Sequence, residues 1–455
     1  MAVDYIRNFD IRLERDVYYA GEQLKGLVCL ENSENVKVRG IRVVLRGKAH
    51  AEWKIMKSGE RRTVKDDQYL LDDKAVIWGR DKHDEEAAAM GVQVLPRGCH
   101  RLPFEFLLPQ TALPCSFESK AGTIRYYIKV VIDVPYASPP QGIKYFTLVG
   151  PYIDCMDEKF LSALMGQDRK TACCLCCKRN RAGLRVTLER NAYVCGENVR
   201  LRALVDNQTD QTACVKLKLM QHVEYFIDKG MVGVNRSSSY CVLEQRGPKV
   251  APFGVGRYDS SLDQSIVLPV CPPTLVGVCR LIQVFYVLRV CLEQEKSGEQ
   301  LSMEFPFTVA TVPLRLPNGI QQPLIEYDFC ASHIEGGMYT SPEFLLGQVY
   351  DGSAADEQVI LYRPVYVKLP SGPERPSVSL SASLPLQTEL DGRAPPQRRQ
   401  EHAPAEAADG RQIVVDLHDT SGGRTTTTTT TLATNSNGEH SVAESTSFML
   451  ETKRE

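Results

Sequence analysis

Residues 11–22 read Ile-Arg-Leu-Glu-Arg-Asp-Val-Tyr-Tyr-Ala-Gly-Glu, and residues 186–197 read Val-Thr-Leu-Glu-Arg-Asn-Ala-Tyr-Val-Cys-Gly-Glu. Leu13, Glu14, Arg15, Tyr18, Gly21 and Glu22 recur as Leu188, Glu189, Arg190, Tyr193, Gly196 and Glu197, each pair 175 positions apart. Such a spacing marks a duplicated domain, because solenoid units repeat about every 20–50 residues.

The match extends outward from this stretch. At the same spacing Leu24 meets Val199, Val28 meets Ala203, Leu30 meets Val205 and Asn32 meets Asn207. Leu107-Leu108-Pro109 then meets Val267-Leu268-Pro269 at a spacing of 160, as does the run Ile124–Val130 with Val284–Val290. Phe146-Thr147-Leu148 meets Phe307-Thr308-Val309 at 161. The first copy therefore carries the longer excursion, within residues 54–100. That segment is dense in charge and is expected to form surface loops around one short strand, Ala75-Val-Ile-Trp78.

The blocks alternate with the period of strands. Ile124, Tyr126, Ile128 and Val130 alternate with Arg125, Tyr127 and Lys129, and Val215, Leu217 and Leu219 alternate with Lys216 and Lys218. Half-apolar strands suit antiparallel sheets with one face on a core and the other in water. Gly21 and Gly196 fall between such runs, where a turn calls for positive φ. The proline-rich breaks at 109–114 and 269–273 end strands, since proline donates nothing to a ladder. The expected fold is all-β: two tandem immunoglobulin-like sandwiches, at residues 5–155 and 181–314. Residues 156–180 are expected to be a cysteine-rich linker and 315–455 a mostly disordered tail.

The net charge of −2 argues against general nucleic-acid binding, which rests on a basic excess. The N-terminus carries charges where a signal peptide has its apolar core, so a cytosolic protein is expected, its fifteen cysteines being thiols. Beyond residue 315 apolar periodicity fades, and residues 370–455, with the run Thr425–Thr431, lack the apolar surface to fold. Residues 323–369 hold scattered aromatics, which act either as short linear motifs or as an extra strand on the second sandwich.

Catalysis needs converging groups. His50, His83, His100, His222 and His333 lack ligand spacing, and His402, His418 and His440 lie in the tail. No phosphate loop, nucleophile elbow or His-Glu-x-x-His occurs, so no enzyme, cofactor or metal is expected. Two other features carry chemistry. Cys173, Cys174, Cys176 and Cys177, flanked by Lys170, Lys178, Arg179 and Arg181, read as an unmodified linker, as an S-acylated patch on anionic lipid, or as a metal site. Four ligands within five residues can hardly wrap one tetrahedral ion. Tyr362-Arg363-Pro364-Val365-Tyr366 holds a degenerate WW-domain ligand in Pro364 and Tyr366, with Arg363 in the place of the first proline of Pro-Pro-x-Tyr. The alternative is a hydrophobic strand over 359–367 that packs within the chain.

The doubled motif resembles the arrestin fold, and more specifically the α-arrestins, or arrestin-domain-containing proteins, which include the thioredoxin-interacting protein. Further support comes from Phe104-Glu-Phe-Leu-Leu-Pro-Gln-Thr111, Gly122-Thr-Ile-Arg-Tyr-Tyr-Ile-Lys129 and Phe307-Thr-Val-Ala-Thr-Val-Pro-Leu314, in order over about residues 5–314. The resemblance implies a non-enzymatic adaptor that engages cytosolic parts of membrane receptors or transporters, in the cytoplasm and at the plasma membrane or endosomes. It also implies tail motifs that recruit the WW domains of HECT-type ubiquitin ligases, so that cargo is ubiquitinated and endocytosed. A retromer-like coat scaffold and a thioredoxin-binding redox regulator, the latter through Cys173–Cys177, are the competing roles.

Overall fold

The computed structural model describes residues 5–57, 59–80, 93–136, 139–171, 181–228, 233–315, 323–330, 363–370, 429–434 and 440–445. The chain forms two compact units, Met1–Pro385 and Leu386–Glu455. The first unit holds two sandwiches built on one plan.

In the first sandwich the strands are β1 (Ile6–Leu13), β2 (Val17–Tyr19), β3 (Gln23–Asn32), β4 (Val36–Val38), β5 (Gly40–Lys57), β6 (Glu60–Gly79), β7 (Gln93–Leu95), β8 (Gly98–Leu107), β9 (Phe117–Glu118), β10 (Gly122–Asp133) and β11 (Gln141–Val149). One sheet runs β1-β3-β8; the other runs β2-β11-β10-β5-β6, with β9 on β10. The second sandwich follows the helical turn α1 (Glu158–Leu161). Its strands are β12 (Leu164–Thr171), β13 (Arg181–Leu188), β14 (Ala192–Tyr193), β15 (Leu201–Gln208), β16 (Ala213–Ile227), β17 (Val234–Val250), β18 (Gly254–Asp259), β19 (Ile282–Gln294) and β20 (Gly298–Val309). Its sheets run β12-β13-β15-β18 and β14-β20-β19-β16-β17. The repeat predicted from sequence is thus a repeat of topology, with β2 and β14 each joined in parallel to the last strand of its own sandwich.

The alternation places the core as expected. Ile124, Tyr126, Ile128 and Val130 of β10 are fully buried, and so are Val284, Leu288 and Val290 of β19 to within 1%. Each fully buried aliphatic side chain contributes roughly 1.5–3 kcal/mol, which holds the two sheets of a sandwich face to face.

Three expectations change. Residues 60–79 are not loops around a short strand: β6 pairs with β5 from Lys57↔Glu60 to Gly40↔Gly79. Only Leu71 and Asp66 of it are buried, while Val64, Leu70, Ala75, Ile77 and Trp78 pack partly against the core, so backbone pairing rather than apolar alternation defines the strand. The extra length of the first copy lies mostly in the connection 80–97 between β6 and β8, against 251–253 between β17 and β18. The segment expected as linker contains β12, which pairs with β13 along its full length and belongs to the second sandwich. The segment expected as tail contributes β21 (Glu326–Phe329) and β22 (Val365–Lys368), an antiparallel pair. In the second unit β23 (Thr429–Thr434) pairs with β24 (His440–Ser445), so part of the threonine run is extended backbone, the state β-branched residues favour.

Candidate functional site

The doubled motif builds the same device twice. In the first copy Arg15 Nη1 donates to Glu22 Oε1 at 3.1 Å, and Glu22 Oε2 accepts from the Tyr19 amide at 2.9 Å. In the second, Arg190 pairs with Glu197, whose other oxygen accepts from the Val194 amide at 3.1 Å. Each arginine lies over the motif tyrosine, Arg15 at 4.9 Å from the Tyr18 ring and Arg190 at 4.0 Å from that of Tyr193. Gly21 and Gly196 both take φ +83, the left-handed region that disfavours side chains. Their amides reach the proline breaks, Gly21 donating to Pro109 O and Gly196 to Leu268 O. The motif is therefore a cross-braced turn stapled to the end of the facing sheet.

The two turns lie at the waist where the sandwiches meet. A second cluster there joins Val17, Tyr19 and Val149 of the first sandwich to Ala192, Val194 and Ala310 of the second, with Cys155 between them. The chain between the sandwiches closes one side: Cys155 donates from its amide to Val312 O, and Arg315 pairs with Asp154. On another side Arg280 reaches from the second sandwich to the buried Asp66 at 2.9 Å, and the Tyr225 hydroxyl donates to Ser119 Oγ at 2.9 Å.

The tail pair completes the waist. Val365 and Val367 of β22 are buried in the same cluster, and Tyr327 of β21 packs against it with its hydroxyl 2.8 Å from that of Tyr19. Burial and this neighbour push the Tyr19 phenol well up, and burial pushes the Cys155 thiol to about 12 and Tyr193 to about 12. These groups stay neutral at ordinary pH and supply packing and hydrogen bonds rather than acid–base chemistry. Lys368 stands beside Cys195 in a parallel bridge, and the Leu369 amide donates to Cys195 O at 2.8 Å. The second motif turn thus holds the end of the tail pair by an isolated backbone bridge.

Of the residues singled out in the sequence, Pro364 and Tyr366 lie at the centre of this site, not on a surface. Pro364 is buried. Tyr366 is 3% exposed, and its hydroxyl donates to Ser116 O of the first sandwich at 3.2 Å. Arg363 stacks over the Phe329 ring at 4.9 Å and donates to Cys330 O. Cys173, Cys174, Cys176 and Cys177 lie outside the described residues; the flanking Thr171 and Arg181 face each other at the end of the β12–β13 hairpin. Sequence reasoning missed Tyr19, Ser116, Cys195, Tyr327 and Leu369. The signal available was Val365-Tyr366-Val367, a short continuous apolar run of the kind a strand buried on both faces shows. Among the described residues no set of three or more His, Cys, Asp or Glu side chains converges as a metal site, and no helix is long and apolar enough to cross a membrane.

Comparison with known proteins gives the same division. Residues 8–154 match the model of the arrestin (or S-antigen) N-terminal domain, and residues 178–314 that of the arrestin C-terminal domain. Arrestin domain-containing protein 4 of Mus musculus is 26% identical over 303 residues, which span 65% of this chain and 69% of that protein. Arrestin domain-containing protein 17 of Caenorhabditis elegans is 26% identical over 305 residues, 65% of this chain and 68% of its own length. Arrestin domain-containing protein 1 of Mus musculus is 26% identical over 318 residues, covering 69% and 64%.

Proposed function

This chain belongs to the α-arrestins, the arrestin-domain-containing proteins, and on that premise we propose that it is a non-enzymatic trafficking adaptor for membrane proteins. The two sandwiches, engaging cytosolic parts of receptors or transporters, are the cargo-binding body. The tail links that cargo to ubiquitination and endocytic sorting through Pro364 and Tyr366, read by WW domains of HECT-type ligases. The protein works in the cytoplasm and is recruited to the plasma membrane or endosomes.

The observation that carries this reading is the ordered match of both arrestin domains to two rigid sandwiches, with the tail motif seated at their junction. A sandwich offers exposed strand edges and loops for recognition. Here β6 and β17 are the outer strands of the two larger sheets, and β8 and β12 edge the smaller ones; strand addition at such an edge is a general mode of peptide capture. Proximity labelling from this chain in cells tests the reading. Enrichment of membrane receptors or transporters together with sorting factors is expected; a partner set without them overturns it.

A further inference from the structure

A WW domain reads an extended proline–tyrosine segment by inserting both side chains into one aromatic groove. In this chain both side chains are already buried, Tyr366 in a groove of the chain itself. Successive residues of an extended strand point to opposite sides. On one side of β22, Val365 and Val367 pack against the waist cluster. On the other, Tyr366 enters a space between Cys115, Cys195 and Cys271 whose remaining void of about 10 Å³ leaves room for at most a single water. Neither side of the segment is left for a partner.

The residue that departs from Pro-Pro-x-Tyr fits this arrangement. Arg363, where the first proline belongs, stacks on Phe329 and donates to Cys330 O. A proline there has no guanidinium to stack and nothing to donate. The departure weakens a WW ligand and strengthens the seat of β22 on β21.

We infer that the waist and a WW domain compete for the same residues, Pro364 and Tyr366, so that the chain recruits a WW-bearing partner only when β22 has left the waist. This rests on the reading of Pro364 and Tyr366 as a WW ligand. The apparent affinity for the partner is then reduced by the fraction of chains with the segment released. Whatever draws β22 out also uncovers the second motif turn, because Leu369 and Cys195 part in the same step.

The test is binding of isolated WW domains of the Pro-Pro-x-Tyr-reading class to three species: the peptide 359–370, the intact chain, and the intact chain carrying Tyr327→Pro. The last breaks β21 and takes the Tyr19–Tyr327 hydroxyl contact with it while leaving the motif residues unchanged; Tyr327→Phe, which loses that contact alone, is its control. The peptide is expected to bind, the intact chain about tenfold or more weakly, and the Tyr327→Pro chain within about twofold of the peptide. Arg363→Pro in the intact chain should also raise affinity, by restoring the ligand and loosening the seat together. Lys368→Cys provides the opposite control: oxidised onto Cys195 it should abolish binding, and reductant should restore it. An intact chain that binds as tightly as the peptide overturns the inference. So does a peptide that binds no WW domain; the adaptor reading is then judged separately, by its labelled partners.

Discussion

The two motif turns have the same fold and different neighbours. In the first sandwich the nearest atom to a side chain placed at Gly21 would be Gln110 Cγ of the same sandwich, at 3.1 Å. In the second, the equivalent place at Gly196 is filled by Leu369 O of the tail at 2.6 Å. Arg15 is one-third exposed, whereas Arg190 is 5% exposed. The first turn meets the tail by side chains, through the Tyr19 hydroxyl and the packing of Val17 and Tyr19 in the waist cluster; the second also receives it by a backbone hydrogen bond. Duplication supplied a cross-braced turn to each sandwich, and divergence made one of them a socket. What is specific to this chain lies where the unrepeated tail meets the repeated turn.

The largest expected effect breaks the braces. Glu197→Ala leaves the Arg190 guanidinium buried without its carboxylate, a loss of roughly 3–5 kcal/mol in chemical denaturation. Glu22→Ala leaves Arg15 partly in water and should cost about 1–2 kcal/mol. Equal costs would show that the turns are energetically alike.

The next effect concerns the glycines. Gly21→Ala carries the left-handed strain, about 1–2 kcal/mol, and a close approach only to the flexible side chain of Gln110 at 3.1 Å. Gly196→Ala adds a collision with the Leu369 carbonyl and should lower Tm further. In a chain truncated after residue 322 that excess should vanish, because the colliding atom is gone. An excess that persists would place its cause within the sandwich.

Tyr327→Phe removes only the hydroxyl shared with Tyr19 and should weaken tail docking by about 1 kcal/mol. Faster hydrogen exchange at residues 326–329 and 365–368, with unchanged exchange in the sandwich cores, is the expected readout.

The smallest effect distinguishes the sandwiches by pH. Arg246, at 2.7 Å, and Lys216 hold the Glu293 carboxyl at about 2, below its ordinary 4.5. A depressed folded value means that the contribution is complete above pH 4.5 and is lost as pH falls toward 2. The pair is partly solvated, so the contribution is discounted to roughly 1 kcal/mol. Glu293→Gln should flatten the acid limb of the stability profile by that amount; an unchanged profile would remove Glu293 from the account.

Much of the fold was legible because both copies repeat the same alternation at the same offsets. The turn was legible in outline: Gly21 and Gly196 announced positive φ, although nothing in the spacing showed that Arg15 and Glu22, or Arg190 and Glu197, close across it. β6 was not legible, because its burial follows no strict apolar alternation, with Asp66 among its buried residues, and its charged residues read as loop. The tail site was half legible. Pro364 and Tyr366 stood out as a motif, but Ser116, which accepts from the Tyr366 hydroxyl, lies 250 positions away, and Cys195, which accepts from the Leu369 amide, 174 away. A four-residue strand in polar surroundings carries no local sign of which surface it will meet.

The second motif turn, and not the first, holds the tail by its backbone. Amide hydrogen exchange at residues 365–369 tests it most directly, in intact chains carrying Gly21→Ala or Gly196→Ala and held where both sandwiches stay folded. Gly196→Ala should strip protection from this segment, while Gly21→Ala should leave it as in the parent chain. Equal protection in the two variants would contradict it.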